Sequence, residues 1–178
     1  MRMIRIIFLL SLFFLSACST VTPKAPSPTG FNIHGLVGVT TTDSQNSANF
    51  NWYQSGAAYH IELYGPLALG TTYLDSDGQQ VSLTLSNQQI YNASSPEILM
   101  QKLLGWSLPV EGLKYWILAQ PVPNEAFTAK KDSTGNLQSL SQEGWSIEYT
   151  WVATQKFPHK ITLMRPGIKA IVIVNKVE

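Results

Sequence analysis

The chain has 178 residues, enough for one domain with its own hydrophobic core. Its formal net charge is +1 and only 13% of its residues are charged, which argues against nucleic-acid binding because that function needs a strongly basic face. The chain has one cysteine, so it has no disulfide within itself. Five Trp and seven Tyr residues beside so little charge indicate an unusually apolar interior or groove.

The first residues have the pattern of a secretory signal peptide. Arg2 and Arg5 precede an apolar run over residues 6–15, and small residues then lead to Cys18. The run is much shorter than the roughly 20 residues that a membrane-spanning helix needs, which argues against an uncleaved anchor. We therefore predict that residues 1–17 are removed as a lipoprotein signal peptide.

The segment Leu15-Ser16-Ala17-Cys18 resembles the bacterial lipobox. In lipobox proteins the cysteine thiol receives a lipid and the cysteine becomes the mature N-terminus. A plain signal peptide with an incidental thiol is the alternative. The resemblance implies that Cys18 is lipidated. Enterobacterial lipoproteins that stay in the inner membrane usually carry Asp after the cysteine, whereas this chain has Ser19. The resemblance therefore implies a location on the periplasmic face of the outer membrane.

Residues 18–30 are predicted to form a tether. Pro23, Pro26 and Pro28 stand among Ser, Thr and Lys, a composition that is extended and has no core of its own. At full extension this segment reaches about 40 Å. The folded domain is expected to cover residues 31–178.

From Phe31 onward, apolar residues recur at every second position, as in half-buried antiparallel strands. The alternating sets are Phe50 and Trp52; Tyr59, Ile61 and Leu63; Val81, Leu83 and Leu85; and Trp145, Ile147, Tyr149 and Trp151. Turn signals at residues 54–56, 75–78, 133–136 and 142–144 separate the strands. Residues 160–165 and 169–174 are expected to form a final hairpin.

The middle of the chain has a helical pattern instead. Ser94-Ser95-Pro96-Glu97 fits a capped helix start, and Gly105 is a natural helix stop. A second short helix is predicted from about Val110 to Leu118.

These elements predict a mainly β fold with a helical insertion. A single antiparallel sheet of about ten strands curls, and the apolar stripe of the helices is most easily buried on the concave face. The result would be a half-barrel under a helical lid that encloses apolar space.

The chain offers little catalytic chemistry. His34, His60 and His159 do not have the spacing of metal ligands, and there is no Gly-x-Ser-x-Gly or Gly-rich phosphate loop. We therefore expect no enzymatic activity, no metal and no cofactor. A Ser-His-Asp site built from distant positions, as in a lipid-processing enzyme, is the open alternative.

An ordered series of motifs resembles the LolB family of outer-membrane lipoprotein receptors. The series is Phe50-Asn51-Trp52, then residues 59–67 (YHIELYGPL), 104–109 (LGWSLP), 113–118 (LKYWIL) and 142–149 (QEGWSIEY). The resemblance implies an unclosed LolA/LolB-like β-barrel of about 10–11 strands under a helical lid. It also implies that the chain accepts lipoprotein cargo from the periplasmic carrier LolA, binds its acyl chains in an apolar cavity and inserts it into outer-membrane lipid, acting as a monomer. A scaffold lipoprotein for envelope assembly is the alternative function.

The resemblance also implies roles for particular residues. The membrane-insertion loop would carry Leu67, with Pro66 and Leu69 beside it, although a Pro-initiated turn that simply packs its leucines is the alternative. The candidate residues of the acyl-chain cavity are Trp52, Ile61, Leu63, Trp106, Trp116, Trp145, Ile147, Tyr149 and Trp151. The alternation does not separate cavity residues from ordinary core in this set.

Overall fold

The computed structural model describes residues 30–65, 70–153 and 155–178. The predicted signal peptide, Cys18, most of the tether, and the loop residues Pro66, Leu67 and Leu69 lie outside the described residues. Within the described ranges the chain forms eleven strands and two helices, which in chain order are β1 (Gly30–Thr41), β2 (Gln45–Ser55), β3 (Ala58–Tyr64), β4 (Thr72–Ser76), β5 (Val81–Thr84), β6 (Ile90–Ala93), α1 (Pro96–Leu104), α2 (Val110–Trp116), β7 (Phe127–Lys131), β8 (Leu137–Gln142), β9 (Trp145–Thr150), β10 (Lys160–Arg165) and β11 (Ile168–Val177).

All the described strands belong to one antiparallel sheet in the order β6-β5-β4-β3-β2-β1-β11-β10-β9-β8-β7. Because β6 and β7 lie at the two edges, the barrel is unclosed, and this confirms the predicted fold. The inward side chains of distant strands, such as Leu83 and Leu140, share one hydrophobic core with both helices, so the sheet curves around them. The predicted last hairpin is β10 and β11, and β11 continues to Val177 because it pairs with β1.

The alternation correctly predicts which face is buried in β2, β3, β5 and β9. In β9, Trp145, Ile147 and Tyr149 are buried, whereas Ser146 and Glu148 are exposed. A different pattern appears at the end of β8, where the polar side chain of Gln142 faces inward and is buried. A buried polar side chain needs hydrogen-bond partners, and Gln142 finds them in α2 and in the segment that follows α2.

Helix α1 begins and ends where its capping residues predict. Ser95 is the N-cap in an extended conformation, and its side-chain oxygen accepts a hydrogen bond of 3.4 Å from the backbone N–H of Ile98. Pro96 occupies the first turn, and Gly105 ends the helix with φ of 79°, a left-handed conformation that favours glycine. The buried face of the helix carries Leu99 and Met100.

Helix α2 is two residues shorter than predicted. It ends at Trp116, and the backbone N–H groups of Leu118 and Ala119 then bond to carbonyls three residues earlier in the chain. Ala119 has φ of 54°, outside the range of a right-handed helix. The last turn therefore tightens before Pro121 is reached, which is a common way for a helix to satisfy its final carbonyls.

Candidate functional site

A small apolar cavity lies between the inner face of the sheet and the two helices. Its volume is about 50 Å³. The sheet contributes inward side chains from five strands, namely Val37, Phe50, Trp52, Ile61, Leu63, Leu74 and Val172. These residues lie in register, since Trp52 pairs with Ile61 and Ile61 with Leu74 across neighbouring strands.

The opposite wall comes from the helices and from the segments beside them. It consists of Met100, Trp106, Leu108, Val110, Leu113 and Ile117. Every residue on both walls is apolar, so a ligand here would be bound by contact area and dispersion. Such a lining disfavours water and polar ligands, because their hydrogen-bonding groups would find no partners in it.

The structure divides the predicted cavity residues into two groups. Trp52, Ile61, Leu63 and Trp106 lie on the cavity wall. The other five lie outside this wall, on or just beyond β9 and on α2, and these are Trp116, Trp145, Ile147, Tyr149 and Trp151. The structure therefore places the second group in the core packing of the β8–β10 side.

Trp116 is the centre of that packing. Its ring lies 6.5 Å from the ring of Trp145, and its indole N–H donates a 2.9 Å hydrogen bond to Oε1 of Gln142. Gly112 makes room for it, because a side-chain Cβ at that position would come within 2.9 Å of the Trp116 ring. The last residue of α2 is thus fixed to β8 and β9.

Gln142 also holds the segment that follows α2. Its Oε1 accepts a second hydrogen bond of 2.8 Å from the backbone N–H of Val122. Its Nε2 donates to the carbonyl oxygens of Val122, at 3.0 Å, and Glu125, at 3.4 Å. One buried side chain therefore attaches both α2 and residues 122–125 to the sheet.

Tyr149 and Trp151 complete the packing on this side. Burial raises the pKa of the Tyr149 hydroxyl, because the ionised form would lose its hydration. The indole N–H of Trp151 donates a 2.7 Å hydrogen bond to the carbonyl of Leu137. These contacts have a structural role.

Helix α1 is held differently. It packs against β5 and β6, near one edge of the sheet, through apolar side chains such as Leu99. Among the hydrogen bonds of the described residues, none joins an α1 side chain to a strand. The carboxylate of Glu97 instead accepts a 3.2 Å hydrogen bond from the backbone N–H of Val110, at the start of α2. Ile98 on the outer side is 53% exposed. Apolar packing alone thus holds α1 on the sheet.

Carboxylates surround the start of α2. Burial raises the pKa of Glu143, and the nearby charges of Glu125 and Glu97 add to this effect. Glu143 lies in the turn between β8 and β9 with φ of 51°, a left-handed conformation that is unfavourable for its side chain. Within the helix, Glu111 forms an ion pair with Lys114, one turn further along α2.

The cavity also includes residues that the sequence had not singled out for this role. Phe50 could have been found, because it shares a strand face with Trp52. Val37 and Val172 face each other on neighbouring strands, and only the pairing of β1 with β11 reveals that they meet. The residues of α2 could not be assigned to a wall before the orientation of the helix was known.

The described ranges contain no group of three His, Cys, Asp or Glu side chains placed to hold a metal ion. In the same ranges, neither helix is long and apolar enough to span a membrane.

Comparisons with known proteins give one consistent family. The model of the family described as outer membrane lipoprotein LolB matches residues 29–176. An outer-membrane lipoprotein LolB of Francisella tularensis subsp. tularensis is 33% identical over an alignment of 189 positions, gaps included, which covers 96% of this chain and 91% of the relative. The protein with the same description from Pseudomonas fluorescens is also 33% identical, over 150 residues that cover 83% of this chain and 73% of the relative.

Solved structures support the fold. A LolA superfamily protein from Nitrosomonas europaea superposes with a TM-score of 0.51 at 10% identity, over 87% of each chain. A DUF1329 family protein from Desulfovibrio piger gives a TM-score of 0.54 at 8% identity, over 84% of this chain and 85% of that one. At such low identity, these likenesses concern the fold alone.

Proposed function

The chain belongs to the LolB family of outer-membrane lipoproteins, and we propose that it accepts lipoproteins from the periplasmic carrier LolA and inserts them into the outer membrane. The observation that carries this proposal is the wholly apolar cavity between the sheet and the helices. In this role the protein catalyses no covalent step and needs no cofactor, because its cargo is only bound and released.

The energetics of lipid transfer explain why such a cavity is needed. Three acyl chains of about 15 CH₂ groups each, at about 0.8 kcal/mol per buried CH₂, amount to roughly 36 kcal/mol of transfer free energy. Non-covalent affinities saturate near 18–21 kcal/mol, so lipidated cargo cannot pass through free water at a useful rate. It has to be handed directly from one apolar site to the next. Of the predicted cavity residues, we propose that four contact the acyl chains, namely Trp52, Ile61, Leu63 and Trp106.

A transfer assay tests this function. Removing residues 1–18 leaves every described element intact, and the remaining chain is mixed with a complex of LolA and a lipoprotein. We expect the lipoprotein to move to this chain, and no transfer would refute the proposal.

A pair of variants on one helix shows whether the cavity receives the acyl chains. Met100→Trp places a large ring in the cavity, whereas Ile98→Trp places the same ring on the exposed side of α1. Overpacking a core costs typically 1–3 kcal/mol, so folding of both variants is checked by urea unfolding. We expect Met100→Trp to slow lipoprotein uptake at least tenfold and Ile98→Trp to leave it unchanged. Equal uptake by two folded variants would rule out the cavity as the acyl-chain site.

We further propose that the loop at residues 66–69 delivers cargo to the membrane through Leu67, with Pro66 and Leu69 beside it. Leu67→Glu is then expected to leave uptake from LolA intact and to block release into liposomes, because a carboxylate resists entry into a bilayer. Ile90→Glu, at a position that is 64% exposed on the edge strand β6, is the matched control and should release cargo normally. Normal release by Leu67→Glu would exclude this role for the loop.

The anchor is part of the same proposal. We propose that residues 1–17 are removed, that lipidated Cys18 holds the protein as a monomer on the periplasmic face of the outer membrane, and that residues 18–30 let the domain reach its surface. The variant Cys18→Ala should accept cargo normally but deliver it to the wrong membrane, which cell fractionation would detect. Correct delivery by an unlipidated chain would refute this role of Cys18.

A further inference from the structure

The outer face of the sheet is apolar on three neighbouring strands. On β9 the outward side chains are polar, namely Ser146, Glu148 and Thr150. On β1, β11 and β10, which lie side by side, buried residues also alternate with outward ones, but several outward side chains are apolar. These are Leu36, Met164, Ile171 and Ile173. An antiparallel sheet with one face on the core usually has polar side chains on the other, so these residues depart from the expected pattern.

The four apolar side chains lie close together. Leu36 pairs with Ile173 across β1 and β11, and Ile171 is the preceding outward residue of β11. Met164 on β10 pairs with Lys169, which precedes Ile171 on the same face. Leu36 is 39% exposed, and the other three apolar side chains are partly exposed. A contiguous apolar patch marks an interaction site, whereas single apolar side chains scattered over a surface do not.

The charges on the same strands are all basic. β1, β10 and β11 contain no Asp or Glu. Their lysine and arginine residues are Lys160, Arg165, Lys169 and Lys176. On the outer face, Lys160 pairs with Ile173 and Lys169 pairs with Met164, so lysines flank the apolar patch on two sides. Among the ion pairs of the described residues, none includes either of these two lysines. The adjoining strand β9 adds one outward carboxylate, Glu148, so the face stays net positive.

An open groove lies on this face beside Lys169. Its volume is about 460 Å³, and its lining includes Gly38, Thr40, Ser47, Lys169 and Ile171. Gly38 contributes to the open space, because a Cβ at that position would meet no atom closer than 4.0 Å. An anionic group can therefore approach the Lys169 ammonium from outside the sheet, next to the apolar side chain of Ile171.

We propose that the outer face of β1, β11 and β10 rests on an anionic phospholipid surface. Apolar side chains beside lysines suit a bilayer interface, where the apolar groups enter the headgroup region and each Lys near an anionic surface raises the affinity about fivefold. The predicted tether ends at Gly30, the first residue of β1, so it joins the domain at one of these three strands. The inference goes beyond the proposed function, because this contact needs neither cargo nor carrier.

A second copy of the chain fits this face less well than a bilayer does. Two such faces brought together would set Lys160 and Lys169 of one copy against the same lysines of the other. No carboxylate on β1, β10 or β11 is present to pair with them, so like charges would repel at close range. An anionic bilayer instead supplies charges of the opposite sign.

Vesicle binding by the chain without residues 1–18, in the absence of cargo, tests the proposal. The probes are vesicles of pure phosphatidylcholine and vesicles of phosphatidylcholine mixed equally with anionic phosphatidylglycerol. Lys169→Glu reverses a charge on the face, and Lys130→Glu, on the exposed edge strand β7, is its matched control. Ile171→Ser removes an apolar side chain from the face, and Ile90→Ser, at an exposed position of β6, is its matched control.

We expect the unmodified chain to bind the mixed vesicles, less tightly as salt rises, and to prefer them to pure phosphatidylcholine. Lys169→Glu should weaken this binding at least about tenfold and Ile171→Ser at least about threefold. The two controls should change it less than about twofold. Urea unfolding checks that each variant is folded. Lys169 is exposed, so its variant remains informative if Ile171→Ser does not fold.

Two results with vesicles would overturn the inference. One is equal binding of the unmodified chain to both kinds of vesicle. The other is equal weakening by Lys169→Glu and Lys130→Glu, because net charge alone would then explain the binding.

Two further measurements address other occupants of the face. In sedimentation without vesicles, a dimer that Lys169→Glu dissociates would assign the face to a second copy. In the transfer assay, both face variants should take up lipoprotein from LolA as the unmodified chain does. Slower uptake by variants that bind vesicles normally would assign the face to the carrier. Failure of the unmodified chain in the transfer assay would refute the proposed function and leave the vesicle result standing, so the two proposals fail separately.

Discussion

Gln142 gives the sharpest test of how the helical lid is attached. Replacing it with Leu puts an apolar side chain of similar size in its place and removes all four hydrogen bonds to Trp116, Val122 and Glu125. The indole N–H of Trp116 is then left without a partner in a fully buried position. A buried donor without a partner costs about 1–3 kcal/mol, and the half-buried N–H of Val122 adds a smaller amount. We therefore expect Gln142→Leu to lower the free energy of unfolding by about 2–4 kcal/mol.

The loss should be concentrated in the lid. Hydrogen exchange followed by NMR measures the opening of individual amides, and each 1.4 kcal/mol corresponds to a tenfold change in an equilibrium constant. In Gln142→Leu, the amides of Ile117 and Val122 should therefore exchange about 30- to 1000-fold faster. The exchange rates of amides in the β1–β2 hairpin should rise only by the factor that the loss of global stability produces.

The chain provides a matched control in Gln54. This side chain is also buried, accepts a 2.9 Å hydrogen bond from the indole N–H of Trp52, and donates to the carbonyls of Gly56 and Ala58. Gln54→Leu removes a similar set of bonds but leaves those of α2 intact. Two results would refute this attachment of α2. One is equal protection of the Ile117 amide from hydrogen exchange in the two variants. The other is a loss of unfolding free energy below about 1 kcal/mol in Gln142→Leu.

Two further predictions concern local structure. Glu143→Asn should stabilise the protein by about 0.5–1 kcal/mol at pH 7 in urea unfolding, because Asn suits the left-handed conformation before Gly144 and carries no charge. The pKa of Glu143 is raised in the folded state, so its ionisation lowers the stability of the protein as pH rises. The stability gained with Asn should therefore shrink towards acidic pH. A gain that grows towards acidic pH would contradict this explanation. Ser95→Ala should lower the free energy of unfolding by about 1 kcal/mol, because it removes the N-cap of α1. Ser94→Ala, one residue earlier, is the control. Equal losses of stability in the two variants would contradict the capping role of Ser95.

Local signals predicted much of this fold. The caps of α1 are encoded by Ser95 and Gly105 within a short stretch of sequence, and the alternation in β9 determines which side chains face inward. The partners of Gln142 were not predictable in this way, because Trp116 lies 26 residues away in the chain. The same limit applies to the aromatic residues. Alternation shows that Trp52 and Trp145 face the interior, but only the position of the helices decides that Trp52 lines the cavity and Trp145 packs against Trp116.

The size of the cavity determines what loading requires. A cavity of about 150 Å³ holds a single benzene molecule, so the roughly 50 Å³ present here is too small for an acyl chain unless a helix is displaced. Helix α2 is held by the hydrogen bonds of Gln142 and by the packing of Trp116, whereas α1 is held on the sheet by apolar side chains such as Leu99 and Met100. We therefore expect α1 to move and α2 to stay. Lifting α1 exposes apolar surface at about 25 cal/mol per Å², and an incoming acyl chain covers the same surface again. Under the proposed function, a contact with the acyl chain thus replaces the apolar contact that closes the empty protein, and this exchange of like contacts would need no external energy source.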